Sequence, residues 1–141
     1  MRKWHPMFDG PRLSLREKLV LAIRVWVRFA LVSVRVRRQP LPRLVAHLAS
    51  VDGSPRRPHA PATLARAVDR SLRVGSHRPR CLINALVLFR LLKEQGDECE
   101  LVIGLPELAE NERAHAWVEL KGRDVGPPPG RAGHCEMARL P

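Results

Sequence analysis

Between Cys81 and Leu92 the chain reads Cys-Leu-Ile-Asn-Ala-Leu-Val-Leu-Phe-Arg-Leu-Leu, and only Asn84 and Arg90 are strongly polar. Such a run has to be buried, and Leu82, Leu86 and Phe89, with Val87 beside them, keep the three- and four-residue spacing of a helix face. Pro79 stands where a helix tolerates a residue without an N–H, and Gly96 supplies the stop. The rest of the chain must be arranged around a largely buried helix whose first turn holds Cys81. There the unpaired backbone N–H groups and the positive end of the helix dipole favour thiolate over thiol. Cys81 is on that ground a nucleophile, provided a base reaches it. Taken alone, a small apolar side chain of this kind is more often a buried structural thiol.

At 141 residues the chain is one domain by length, and an apolar fraction of 45% is enough for a core. Its net charge of +11 is unevenly spread, with +14 in residues 1–80 and −3 in residues 81–141. The excess comes from twenty-one arginines against only four lysines. A basic half of this kind attracts phosphates, and an acidic peptide or partner protein fits the same field. Three cysteines without a C-x-x-C pair make no disulfide framework, and no uninterrupted apolar run ending in a cleavage site follows Met1. These features point to a reduced, cytoplasmic protein.

Ser14-Leu15-Arg16-Glu17 has the form of a capping box and predicts a helix start. The apolar run from Leu19 to Val36 that follows is interrupted by Arg24, Arg28 and Arg35. Each arginine would cost about 2.5–3.5 kcal/mol near a bilayer centre, which disfavours a membrane span. Their spacing by four and seven lines one narrow stripe of the helix. That predicts a core helix with a solvated stripe, or a helix that docks on a membrane surface or a partner. Gln39-Pro40-Leu41-Pro42 breaks it, and a short helix is expected over Arg43–Ala49. Ser50 to Pro61 reads as an exposed connection, and Thr63–Val74 as a helix closed by Gly75.

After Gly96 the periodicity changes. Cys99–Gly104 reads as a strand, Leu105–Arg113 as an acidic loop, and Ala114–Leu120 as a second strand alternating with period two. Lys121-Gly122-Arg123 turns the chain, so Asp124-Val125 begins a return strand. From Gly126 onward, Pro127, Pro128 and Pro129 with Gly130 and Gly133 rule out a central strand or helix.

This order places a cysteine at a helix start, then a histidine on a strand, then an aspartate. It suits a thiolate–imidazolium pair in which His115 takes the thiol proton and later hands it to the leaving amine, while a carboxylate or amide fixes the ring. His115, Trp117 and Glu119 share one strand face. Backbone N–H groups at the start of the Cys81 helix are placed to hold an oxyanion. Asn84 lies one turn after Cys81. Cys99 and Cys135 have no activating neighbours in sequence, and His134, Cys135, Cys81 and His115 lack the short ligand pair of a zinc site.

Together, Cys81-Leu82, Ala85-Leu86, Leu91-Leu92, Gly96, Leu101-Val102-Ile103-Gly104 and Ala114-His115-Ala116-Trp117-Val118-Glu119 resemble the transglutaminase-like cysteine protease that matures lasso peptides, a leader peptidase. The resemblance covers roughly residues 79–126, and Leu13–Val74 has the helical layout expected upstream. It implies an α+β fold with a papain/transglutaminase-like core, in which a cysteine-bearing helix packs on a small antiparallel sheet after N-terminal helices. Residues 76–141 would form the protease core and residues 1–75 a basic helical region, within one compact unit.

The implied activity is removal of the leader from a ribosomally made precursor peptide by Cys81, His115 and Asp124, without metal or organic cofactor. The family's aspartate stands further beyond the histidine, where this chain has prolines. Asp124 is the only aspartate after His115, and Glu119 is a substitute four residues along the same strand. Nothing resembling the leader-recognition domain precedes Leu13, so a separate leader-recognition protein is expected as a partner, along with the ATP-dependent lasso cyclase. The docking surface would be the basic front half and the Leu19–Val36 helix. No nucleic acid is expected, and membrane contact is left open. Two other functions fit the same residues: a non-catalytic basic adaptor of this fold, and acyl transfer to an amine instead of water.

Overall fold

The computed structural model describes residues 12–51, 59–73, 81–106, 114–126 and 134–141. Four helices come first: α1 (Leu15–Arg38), α2 (Leu41–Ala49), α3 (Pro61–Leu72) and α4 (Cys81–Glu94). Four strands follow: β1 (Cys99–Pro106), β2 (His115–Leu120), β3 (Arg123–Gly126) and β4 (His134–Leu140). The architecture is α+β, as the sequence implies. Gly75, Pro79, most of the 50–61 connection, the Glu107–Arg113 part of the acidic loop and the three prolines lie outside the described residues.

Local chemistry sets the helix ends. Ser14 Oγ accepts from the Glu17 N–H at 3.3 Å, and a Glu17 carboxylate oxygen accepts from the Ser14 N–H at 2.8 Å, closing the expected capping box. α2 and α3 each carry proline in the first turn, where no N–H is missed. Beyond α4, Gly96 at φ 87° lets its N–H reach the Lys93 carbonyl and the Asp97 N–H reach the Leu92 carbonyl, both at 3.0 Å. That is a Schellman closure, and it needs a residue free of a Cβ.

α4 is the hub. Ala85 to Phe89, Leu91 and Leu92 are all buried, because the other three helices pack on one side of it and β1 and β2 on the other. The sheet is antiparallel throughout, in the order β3-β2-β1-β4. It turns Cys99, Leu101, Ala116, Val118 and Val125 into the same core as α1–α4. β2 and β3 are joined through Lys121 and Gly122, both at positive φ, the conformation of a tight two-residue hairpin. β4, beyond the prolines, is a strand the sequence does not announce. It is an edge strand whose central five residues are all exposed, so no apolar alternation marks it.

The expectation of a solvated arginine stripe on α1 needs correction. Arg24 and Arg28 turn towards Glu94 at the end of α4, at 3.2 and 2.6 Å, and Arg90 reaches the same carboxylate at 2.9 Å. One half-buried acid gathers three guanidinium groups and ties α1 to α4. What α1 offers to solvent instead is apolar: Leu19, Ile23, Trp26, Val27, Leu31 and Val34 are all exposed.

Candidate active site

Cys81 opens α4, and its half-buried thiol lies 3.9 Å from the Ala114 carbonyl oxygen, the residue just before β2. His115 is the first residue of β2 and is only 7% exposed. Ala116, the next residue of β2, is buried in the core shared with α4. The thiol therefore lies against the peptide unit that opens β2, Ala114–His115. That juxtaposition joins residues thirty-three positions apart in the chain.

Alternation along β2 separates its two faces. Ala116 and Val118 enter the helical core, so His115, Trp117 and Glu119 project from the other face, the three-residue set legible in the sequence. The His115 ring stacks on Trp117, with centroids 6.1 Å apart and planes 23° from parallel, and His134 of β4 comes within 5.2 Å of it. Trp117 lies flat over β1 because Gly104 leaves room. A Cβ built on Gly104 would come 2.7 Å from the Trp117 ring and 2.8 Å from the Cys135 carbonyl oxygen.

The far end of the Trp117 ring is held by charge. Its indole N–H donates to Glu119 at 3.0 Å, and the other Glu119 oxygen accepts from Arg139 of β4 at 2.9 Å. Glu119 is only 1% exposed, and a buried carboxylate needs such partners. Arg139 also bonds to Glu100 and Glu136, and these acceptors raise its already high pKa further. Neither His134 nor the Glu119–Arg139 pair was assigned a role from sequence. With β4 unread, nothing placed Arg139 next to β2.

Asp124 is not brought to His115. The two-residue hairpin pairs Arg123 with Leu120, so Asp124 stands opposite Glu119. That is four residues along β2 from His115, about 13 Å at the usual strand rise. One Asp124 carboxylate oxygen accepts from the Gly126 N–H at 2.8 Å, holding the end of β3. This register sets Asp124 along the sheet from His115. The short turn sets the register, and the register sets the distance.

The remaining thiols differ from Cys81. Cys99 is buried against α4 with its sulfur 3.9 Å from the Phe89 carbonyl oxygen, and burial pushes its pKa up to about 12. Cys135 is exposed on β4. Among the described residues no group of three His, Cys, Asp or Glu side chains is arranged to hold a metal ion. Asn84, one turn below Cys81, keeps its buried Oδ1 without a hydrogen-bond partner among the described residues.

The family model described as the transglutaminase-like superfamily matches residues 23–136, from within α1 into β4. The chain belongs to the transglutaminase-like superfamily. No curated protein and no solved structure matches it. The matched range includes Cys81, at the tip of the central helix, and His115, at the start of β2. Its fold is one that commonly carries cysteine-peptidase chemistry.

Proposed function

We infer that this transglutaminase-like protein is a cysteine peptidase that removes the leader from a ribosomally made lasso precursor peptide. A separate leader-recognition protein delivers that substrate, and an ATP-dependent lasso cyclase takes the product. One observation supports the peptidase reading above the others: the Cys81 thiol lies against the carbonyl of Ala114, one peptide unit from His115. The start of the histidine strand is thereby set at the tip of the cysteine helix. The resemblance in the Ala114–Glu119 segment supports the choice of substrate class.

In this reading His115 takes the Cys81 proton by swinging its ring towards the end of β2, and the thiolate attacks the scissile carbonyl carbon. Backbone N–H groups in the first turn of α4 hold the oxyanion. Collapse of the tetrahedral intermediate breaks the C–N bond. The imidazolium gives its proton to the departing amine, leaving a thioester on Cys81. Water, deprotonated by His115, then hydrolyses the thioester and frees the leader carboxylate. The thiol must stay reduced, which suits the cytoplasm.

The test combines purified protein, precursor peptide and leader-recognition protein, with products read by mass spectrometry. Leader and core should separate with the native chain, and Cys81→Ala should abolish cleavage while leaving thermal unfolding unchanged. Undiminished cleavage by Cys81→Ala would reject the assignment.

A further inference from the structure

Among the described residues ten large apolar side chains are exposed, and eight of them belong to α1. They follow helical spacing, with Leu19, Ile23, Trp26, Val27, Leu31 and Val34 on the side opposite the buried Leu21, Val25 and Val32. The stripe runs the length of a 24-residue helix, about 36 Å at the α-helical rise. Isolated exposed apolar residues are ordinary on a soluble surface. A continuous strip of this size marks something that covers it.

The charges around the strip indicate what that is. Within the solvent-facing half of α1 the only charged residues are Arg16 near one end and Arg37 and Arg38 at the other, all exposed. The one acid of the helix, Glu17, sits to the side and is engaged with Ser14. On the other side of the same end of α1, against α3, Arg12, Lys18, Arg66 and Arg70 line a cleft of about 580 Å³ with no carboxylate in its lining. The exposed face of α1 therefore carries positive charge at both ends and no acid. A groove on a protein partner would have to pair these guanidinium groups with acids at both ends, and its bound helix would show hydrogen-bonding side chains along the rim. This strip shows none between Arg16 and Arg37 apart from the half-buried flank. Anionic phospholipid headgroups around an apolar interior need no such pattern.

We propose that α1 lies in the plane of an anionic membrane surface, its Leu19–Val34 strip sunk among the acyl chains and its terminal arginines on the lipid phosphates. Trp26, an interfacial residue, sits mid-strip. No helix among the described residues is long and apolar enough to cross a membrane, so in-plane binding is the form this contact takes. Arg24 and Arg28, bound to Glu94, anchor the strip to the end of α4 remote from Cys81. The inference stands apart from the peptidase reading, since it concerns binding alone.

Cosedimentation of the full chain with phosphatidylcholine vesicles carrying about 30% phosphatidylglycerol tests it, since anionic lipid supplies the field. Binding is expected, and should weaken about 10-fold in pure phosphatidylcholine or at high salt. Tryptophan emission should shift to the blue on binding in the native chain and not in Trp26→Phe. The Ile23→Glu/Val27→Glu double variant changes only exposed positions, so it should fold with the native melting profile and lose vesicle binding. Failure of the native chain to sediment with either vesicle, or equal sedimentation of the double variant, would overturn the proposal. So would a dimer, or a complex with the leader-recognition protein, that the same double substitution dissolves while vesicle binding persists.

Discussion

Cys81, Cys99 and Cys135 carry the same sulfur and differ only in surroundings. Cys81 is half-buried at a helix tip, Cys99 is enclosed between β1 and α4, and Cys135 faces solvent on an edge strand. Limited alkylation of the native protein should therefore mark Cys81 and Cys135 and spare Cys99, and in a Cys135→Ser background only Cys81 should react. Mass-spectrometric recovery of labelled Cys99 from folded protein would contradict this placement. Burial also couples Cys99 to stability. Its pKa rises from 9.0 to about 12 in the folded chain, so above pH 9 the unfolded chain loses a proton that the folded chain keeps. The sign is then fixed: the contribution is whole below pH 9 and is lost as pH climbs towards 12. Urea unfolding should show the native chain losing up to about 1.4 kcal/mol per pH unit over that window relative to Cys99→Ala. Parallel slopes for the two proteins would rule out a proton held by burial. In the sequence, Cys81 stood apart by its helix-start position, while Cys99 and Cys135 looked alike, because burial is decided by packing partners far along the chain.

At the scale of elements, the sheet depends on one glycine. Gly104 faces His115 across the β1–β2 pair, and the Trp117 ring fills the space a side chain would take. The Cys135 carbonyl is backbone and cannot turn away, so an added methyl has to push Trp117 or part β4 from β1. Gly104→Ala should cost about 1–3 kcal/mol and change the near-ultraviolet circular dichroism of the tryptophans. A variant with the native melting temperature and spectrum would show that the ring is free to move. The helices and the first three strands were legible because capping boxes, stop glycines, turns and apolar periods are local signals. β1 runs two residues past its expected end, into Pro106, and β4 went unread. Its exposed, mixed residues gain their strand conformation from pairing with β1. The same gap hid the Glu119–Arg139 pair and with it the support of Trp117. Cys81 and His115 were legible as a motif. The distance between Asp124 and His115 was not, because one turn fixes it only once the register is known.

For the molecule as a whole, the question is whether residues 76–141 can stand without the helices before them. Leu21, Val25 and Val32 of α1, Leu44, Val45 and Leu48 of α2, and Leu64, Val68 and Leu72 of α3 share one buried cluster with α4 and the sheet. α4 is apolar on every side because it has neighbours on every side, and removing α1–α3 would expose the flank they cover. Burial of that flank contributes about 25 cal/mol per Å² of apolar surface, and a fragment of this size has no reserve to replace it. Glu94 would be left with only Arg90 of its three partners. A fragment of residues 76–141 should therefore show no cooperative thermal transition and bind a dye specific for exposed apolar surface, while the full chain unfolds in one step. Calorimetry decides it. Two separate transitions in the full chain, or a sharp one in the fragment, would mean that the cysteine and histidine elements make a core of their own and that the N-terminal helices serve only as an attachment.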